Sequence, residues 1–173
     1  MHGPAASPLP NIVGLGGAIA GLGGGLAMMI IRACVSLALG DDLWLEAKQV
    51  ATVVYGSAAT AQPDFVAGPV IVGTLIHVLV SARLGAIYGI ITQRVLHLPS
   101  DMGVPVLTGL ISGLLIWMVA YFVVVPHFAP ALLMLYVPSF IIQHMGYGIV
   151  TGVLYAYLRP DPYLSAGYPD QTG

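Results

Sequence analysis

Residues 73–90 read GTLIHVLVSARLGAIYGI. The stretch is apolar, long enough for a helix, and carries a histidine near its middle. Its pattern returns 67 residues later: His77, Ser81, Gly85 and Tyr88 match His144, Gly148, Gly152 and Tyr155. Both copies read H-x3-(S/G)-x3-G-x2-Y. At about 100° per residue, these offsets place all four positions on one side of a helix. A second shared phrase precedes each copy, GLGGGL at 21–26 and GLISGL at 109–114. The spacing predicts a duplicated two-helix hairpin, with His77, Ser81, Gly85, Tyr88 and their counterparts forming helix-packing seams.

Composition sets the solvent. Of 173 residues, 58% are hydrophobic and only 7% are charged, against about a quarter charged in an ordinary soluble domain. So few charges cannot wet a surface of this size, and lipid must surround most of the chain. The net charge of −2 offers no basic footprint for nucleic acid. The single cysteine, Cys34, cannot form an internal disulfide and reads as a small residue in an apolar run. Residues 1–11 hold no Lys or Arg, so a cleaved signal peptide is not expected.

The fold class that follows is an all-α membrane protein: four transmembrane helices as two duplicated hairpins, with an interfacial helix in the first loop. An N-terminal segment (1–11) precedes a four-helix transmembrane domain (12–158), and a polar tail (159–173) follows. Residues 12–31 form an uncharged run of 20, enough for one hydrocarbon core. Arg32 then falls at the far interface, where its head can reach water. The glycines of this span suit close helix contacts in lipid. Gly40 stops the helix, and Asp41 and Asp42 open an interfacial helix over about 41–56. Leu43, Ala47, Val50, Ala51 and Val54 share one side of it, with Glu46, Lys48 and Gln49 nearer the other. That division predicts a helix lying on the membrane surface, anchored by Trp44 and Tyr55. Further spans are expected at 65–92, 104–125 and 137–158, with Arg83 snorkelling to an interface.

Four spans bring both termini to one side. Arg83, Arg94 and Arg159 lie toward that side and Arg32 and Lys48 opposite, so the positive-inside rule puts the termini in the cytoplasm. Because each hairpin has two spans, the copies insert with the same orientation. They are expected to be related by a rotation of about 180° about the membrane normal, with His77 and His144 at equal depth.

The W-x6-A of Trp44 and Ala51, the H-x3-S of His77 and Ser81, a proline closing the third span, and H-x2-Y-G-x3-G-x2-Y-A from His144 to Ala156 carry a resemblance. Over about residues 12–158 the chain resembles uncharacterised four-span bacterial inner-membrane proteins similar to the YagU-like domain-of-unknown-function families. The resemblance implies a multi-pass protein of the bacterial inner membrane and a compact four-helix module. It supplies no catalytic residues.

No CxxC, HExxH, P-loop or G-x-S-x-G occurs in the chain, so no catalytic residue and no metal site are expected. His77 and His144 are the candidates for chemistry, because an ionisable residue within a membrane is a functional hypothesis by default. Three readings are open. The imidazoles can be polar glue between helices, with no cofactor. They can ligate one haem b, the small residues leaving room for the macrocycle. They can line a proton or quinone site. Tyr88 and Tyr155 read as interfacial anchors, and His97 and His127 as surface histidines. The expected role is a non-enzymatic accessory or structural subunit of a larger membrane complex, respiratory or photosynthetic. Its partners would be lipids and other integral membrane subunits. A haem b electron-transfer module and a proton or small-solute transporter are the alternatives.

Overall fold

The structure, a computed structural model, describes residues 14–97 and 103–158. Helix α1 spans Leu15–Leu39. Three short pieces follow: α2 (Leu45–Val50), α3 (Thr52–Tyr55) and a 3-10 turn, Gly56–Thr60. Helix α4 spans Ala67–Ile90 and runs on through a π turn at Ile91–Val95. Helix α5 (Gly103–Val119) continues through a π turn, Ala120–Val124, into α6 (Val125–Phe128). After a 3-10 turn at Pro130–Met134, α7 spans Val137–Leu158. Four of these helical stretches are long and apolar enough to cross a membrane, and the described residues contain no strand. The protein is a multi-pass, all-α membrane protein.

The first helix ends as its sequence dictates. Gly40 takes the left-handed conformation, and the amides of Gly40 and Asp41 both donate to the Ser36 carbonyl. The bond from the Gly40 amide is that of an αL cap, in which glycine avoids the Cβ clash of a positive φ. The helix continues eight residues past the end of the uncharged run, from 31 to Leu39, so Arg32 lies within it rather than at its end.

Glycine fixes the packing of each hairpin. A Cβ built on Gly17 or Gly21 would strike the backbone of Gly85 or Ser81, and one on Gly85 would strike Gly17 and Gly21. The second hairpin repeats these contacts. Gly109 and Gly113 meet the backbone of Gly148, Gly152 and His144, and Gly152 meets Pro105. The correspondence is residue for residue: Gly17, Gly21 and Gly25 against Pro105, Gly109 and Gly113, a constant offset of 88. The seam positions Ser81, Gly85, Tyr88, Gly148, Gly152 and Tyr155 are all buried.

The hairpins do not pack on each other as an exact two-fold would require. Helix α1 lies along α7, with Gly16 near Leu158, Gly23 under Leu154 and Gly24 against Tyr147 and Thr151. A two-fold would pair α5 with α4 in the same way. Among the described residues that pairing is sparse, and Tyr88 reaching the Pro105 carbonyl at 2.7 Å is its principal link. Helices α4 and α7 run parallel and are joined by tyrosines. Tyr147 donates to the Ser81 carbonyl at 2.8 Å, and Tyr155 to the Gly89 carbonyl at 3.0 Å. Both donors and both acceptors are eight residues apart, so the pair locks the register. Tyr88 and Tyr155 meet edge to face with centroids 5.4 Å apart. They are buried at 5% and 2% exposure, and so serve as internal links where interfacial anchors were expected.

Backbone contact at the glycines should govern stability. Gly85→Leu and Gly148→Leu are expected to lower stability by about 1–3 kcal/mol or more, since the neighbouring atoms are backbone and cannot give way. Gly103→Ala, which meets open space, should stay within roughly 0.5 kcal/mol of the parent. Thermal unfolding in detergent checks this, and equal melting of all three variants contradicts it.

Candidate functional site

The first loop is built around two buried cations. Lys48 is 1% exposed. Its ammonium donates to the Asp42 carboxylate, to the Gln62 carbonyl at 2.9 Å and to the Asp64 carbonyl at 3.0 Å. Three protons meet three acceptors, which ties the start of α2 to the end of the loop. Burial works against the Asp42 carboxylate, but hydrogen bonds from Lys48 and the Trp44 amide and the Lys48 charge outweigh it and hold its pKa below the ordinary value. Gln49, also buried, donates its amide to the Ala131 carbonyl at 2.9 Å and so pins α2 to the second hairpin's loop.

The second cation is Arg32, 4% exposed on α1. Its Nε lies 3.4 Å from Glu46 Oε2, and a terminal nitrogen lies 3.7 Å from Asp41 Oδ2. Arg32 therefore does not reach out to the interface, because the loop folds over it and supplies carboxylates. Neither Arg32 Nε nor Glu46 Oε2 has a hydrogen-bond partner among the described residues. Glu46 lies outside the four spans, yet burial pushes its carboxyl up to about 7, against the opposing pull of Arg32 and the Gln143 amide.

These pairs draw the expected polar side of the loop helix inward, next to part of its apolar side. Lys48, Gln49 and Ala51 face protein, while Leu43, Val53, Val54 and Tyr55 are exposed. Backbone decides the docking: Gly73 of α4 abuts the Ala47 carbonyl so closely that no Cβ fits. The polar side turns inward because charges in a low-dielectric setting need partners more than apolar groups need shelter. The expected interfacial helix is also broken, at Ala51 and again at Gly56, where φ is 58°.

Between α1, α2 and α4 lies a cavity of about 310 Å³. Arg32, Glu46, Thr74, His77 and Trp44 line it together with apolar side chains. His77 is half-buried, and its Nε2–H donates to the Gly25 carbonyl at 3.1 Å. His144 is buried on α7. Its Nδ1–H donates to the Phe140 carbonyl of its own helix at 2.8 Å, and its ring meets Phe140 edge-on at 4.6 Å.

This geometry does not suit a haem b held by His77 and His144. The His77 nitrogen that would ligate iron is bonded to a carbonyl. The small residues that were to admit a macrocycle face α1 in one hairpin and α5 in the other, where glycine backbone fills the space. Among the described residues no cluster of three or more His, Cys, Asp and Glu could hold a metal ion. His97 and His127 are exposed. Arg83, expected to snorkel, is exposed on α4. Arg159, residues 1–11 and the C-terminal tail lie outside the described residues.

The chain belongs to a family of unknown function, DUF6789, whose model matches residues 12–165. No curated protein and no solved structure matches it. Membership in an uncharacterised family agrees with the sequence reading, whereas likeness to the YagU-like families finds no support in the match.

Two outcomes follow. Lys48→Met should cost about 3–5 kcal/mol, as expected when one partner of a buried pair is lost, and should expose 56–66 to rapid amide exchange. Slow exchange in that segment would show that the lysine does not hold the loop. For Glu46, the folded pKa exceeds the ordinary value of 4.5. Its contribution is thus fully present below about pH 4.5 and is lost as pH rises through about 7, an effect of at most roughly 3 kcal/mol. Arg32, Gln143 and His77 face or neighbour the carboxyl, so the comparison with Glu46→Gln isolates its share. Parent stability relative to Glu46→Gln should fall between pH 5 and 8, and a pH-independent difference contradicts the assignment.

Proposed function

We propose that the protein is a small, non-enzymatic accessory subunit of a larger membrane assembly in a bacterial inner membrane, with both termini cytoplasmic. The observation that carries this reading is the use made of the intramembrane polar groups. His77, His144, Tyr147 and Tyr155 all donate to backbone carbonyls, as polar glue does in helix packing. Support also comes from α5. It buries only Pro105, Gly109 and Gly113 on one edge, leaving Leu107, Ile111, Leu115 and Met118 exposed for a neighbour. A respiratory or photosynthetic complex is the setting that suits such a module. The finer likeness to the YagU-like inner-membrane proteins belongs to this reading too.

The orientation rests on where the cations are. Arg32 and Lys48 are buried in ion pairs on the loop-helix side, while Arg94 is exposed on the side of the termini. The transport alternative has less support. Beyond the cavity, α1 and α4 touch through backbone at Gly17, Gly21 and Gly85, which leaves no aqueous route along that interface.

Two measurements test the proposal. On a mild-detergent native gel the 18.0-kDa chain should migrate within a larger species containing a reproducible set of other subunits; migration as a lone monomer overturns it. In a Cys34→Ala background, Ser57→Cys should react with a membrane-impermeant maleimide added to intact cells. Labelling only after lysis reverses the orientation.

A further inference from the structure

We infer that the cavity between α1, α2 and α4 binds the head of a neutral, membrane-dissolved quinone or quinol, whose tail leaves past Ile30 into lipid. The inference goes beyond the accessory role and stands whether or not a larger assembly exists.

The cavity is a built site. Arg32 is more than nine-tenths buried and lines it, and Arg32 Nε and Glu46 Oε2 lack hydrogen-bond partners among the described residues. Those two atoms face each other at 3.4 Å as an ion pair, too close for a group to enter between them, so a head in the cavity meets the remaining nitrogens of the guanidinium and the rest of the Glu46 carboxyl.

Charge selects the class of head. The arginine already faces two carboxylates, Glu46 and Asp41, so the site has no surplus positive charge for a phosphate or a fatty-acid carboxylate. A neutral head with an acceptor and a donor fits instead: a ring carbonyl accepts from the Arg32 guanidinium, and a ring hydroxyl donates to the Glu46 carboxylate. The walls favour a flat ring. Trp44 offers an aromatic face, and the volume of about 310 Å³ lies at the lower end of the roughly 300–1,000 Å³ typical of small-molecule pockets. Thr74 and His77 add polar groups elsewhere on the lining. Ile30, 55% exposed, and Trp44, 38% exposed, also line the cavity, so the site opens to lipid where a tail can leave.

The test uses the full chain with Trp117→Phe, which leaves Trp44 as the sole indole, in nanodiscs of zwitterionic phospholipid. A decyl-substituted benzoquinone is titrated in, oxidised and then reduced. Saturable quenching of Trp44 is expected. Ala33→Phe, which fills the cavity, should weaken binding at least tenfold. Glu46→Gln should weaken the reduced form by roughly tenfold or more, the loss of one hydrogen bond to a charged group, and the oxidised form less. Thr74→Leu serves as a second filling variant if Ala33→Phe does not fold. Quenching that rises linearly without saturation, or that neither filling variant weakens, overturns the inference. So does equal displacement by diacylglycerol or oleate, which would make the site a general lipid pocket.

Discussion

Everything in this fold depends on two helices touching through their backbones. In water, helices associate to hide apolar side chains, but in hydrocarbon that gain disappears because lipid tails are equally apolar. What remains is close van der Waals contact, available only where no side chain intervenes. Gly17, Gly21 and Gly85 provide it in the first hairpin, and Gly109, Gly148 and Gly152 in the second. With the backbones in contact, the register is set. The tyrosines of α7 can then find the Ser81 and Gly89 carbonyls one after the other.

Onto this repeated frame the first loop adds what the second hairpin lacks. Its residues bring carboxylates over Arg32 and close Lys48 inside three acceptors. Buried charges are expensive to leave alone, so each cation recruits a segment of chain that would otherwise have no reason to be ordered. The packing of α1 along α7, which α4 and α5 do not reproduce, gives the two halves different surroundings. Equivalent histidines consequently donate from different ring nitrogens, His77 to a neighbouring helix and His144 to its own.

The spans and the repeat were legible because period and length are enough to specify them. The glycine seam was legible for the same reason, since offsets of four residues mark one helix face. In the loop helix the polar side was placed wrongly, since Lys48 and Gln49 are buried beside Ala51. Assigning Lys48 and Gln49 to water assumes that water is the alternative, whereas here the competitor is a set of carbonyls and carboxylates drawn from 41–64 and from Ala131. No local pattern announces such partners. Scarcity offers the one clue: in a chain with five basic and seven acidic residues, a charge near a span end is more apt to be paired than solvated. Arg32, Glu46 and Gln143 were missed as a group because they come from three elements far apart in sequence. The π turns at Ile91–Val95 and Ala120–Val124 carry no signal in residue type at all.

The second span is also long. Its 29 residues, Ala67–Val95, extend about 43 Å at 1.5 Å each, while a hydrocarbon core is about 30 Å thick. Among the described residues its repeat partner, Val137–Leu158, spans 22 residues, about the thickness of a core. Tilt alone cannot reconcile the two, because the tyrosine links hold α4 and α7 side by side. In the register the tyrosines set, the surplus falls at both ends, 67–70 toward the first loop and 93–95 at the other end, where it carries the exposed Arg94 toward the lipid headgroups. A membrane that thins beside this protein meets a stiff post at the second span, so it must deform around that flank.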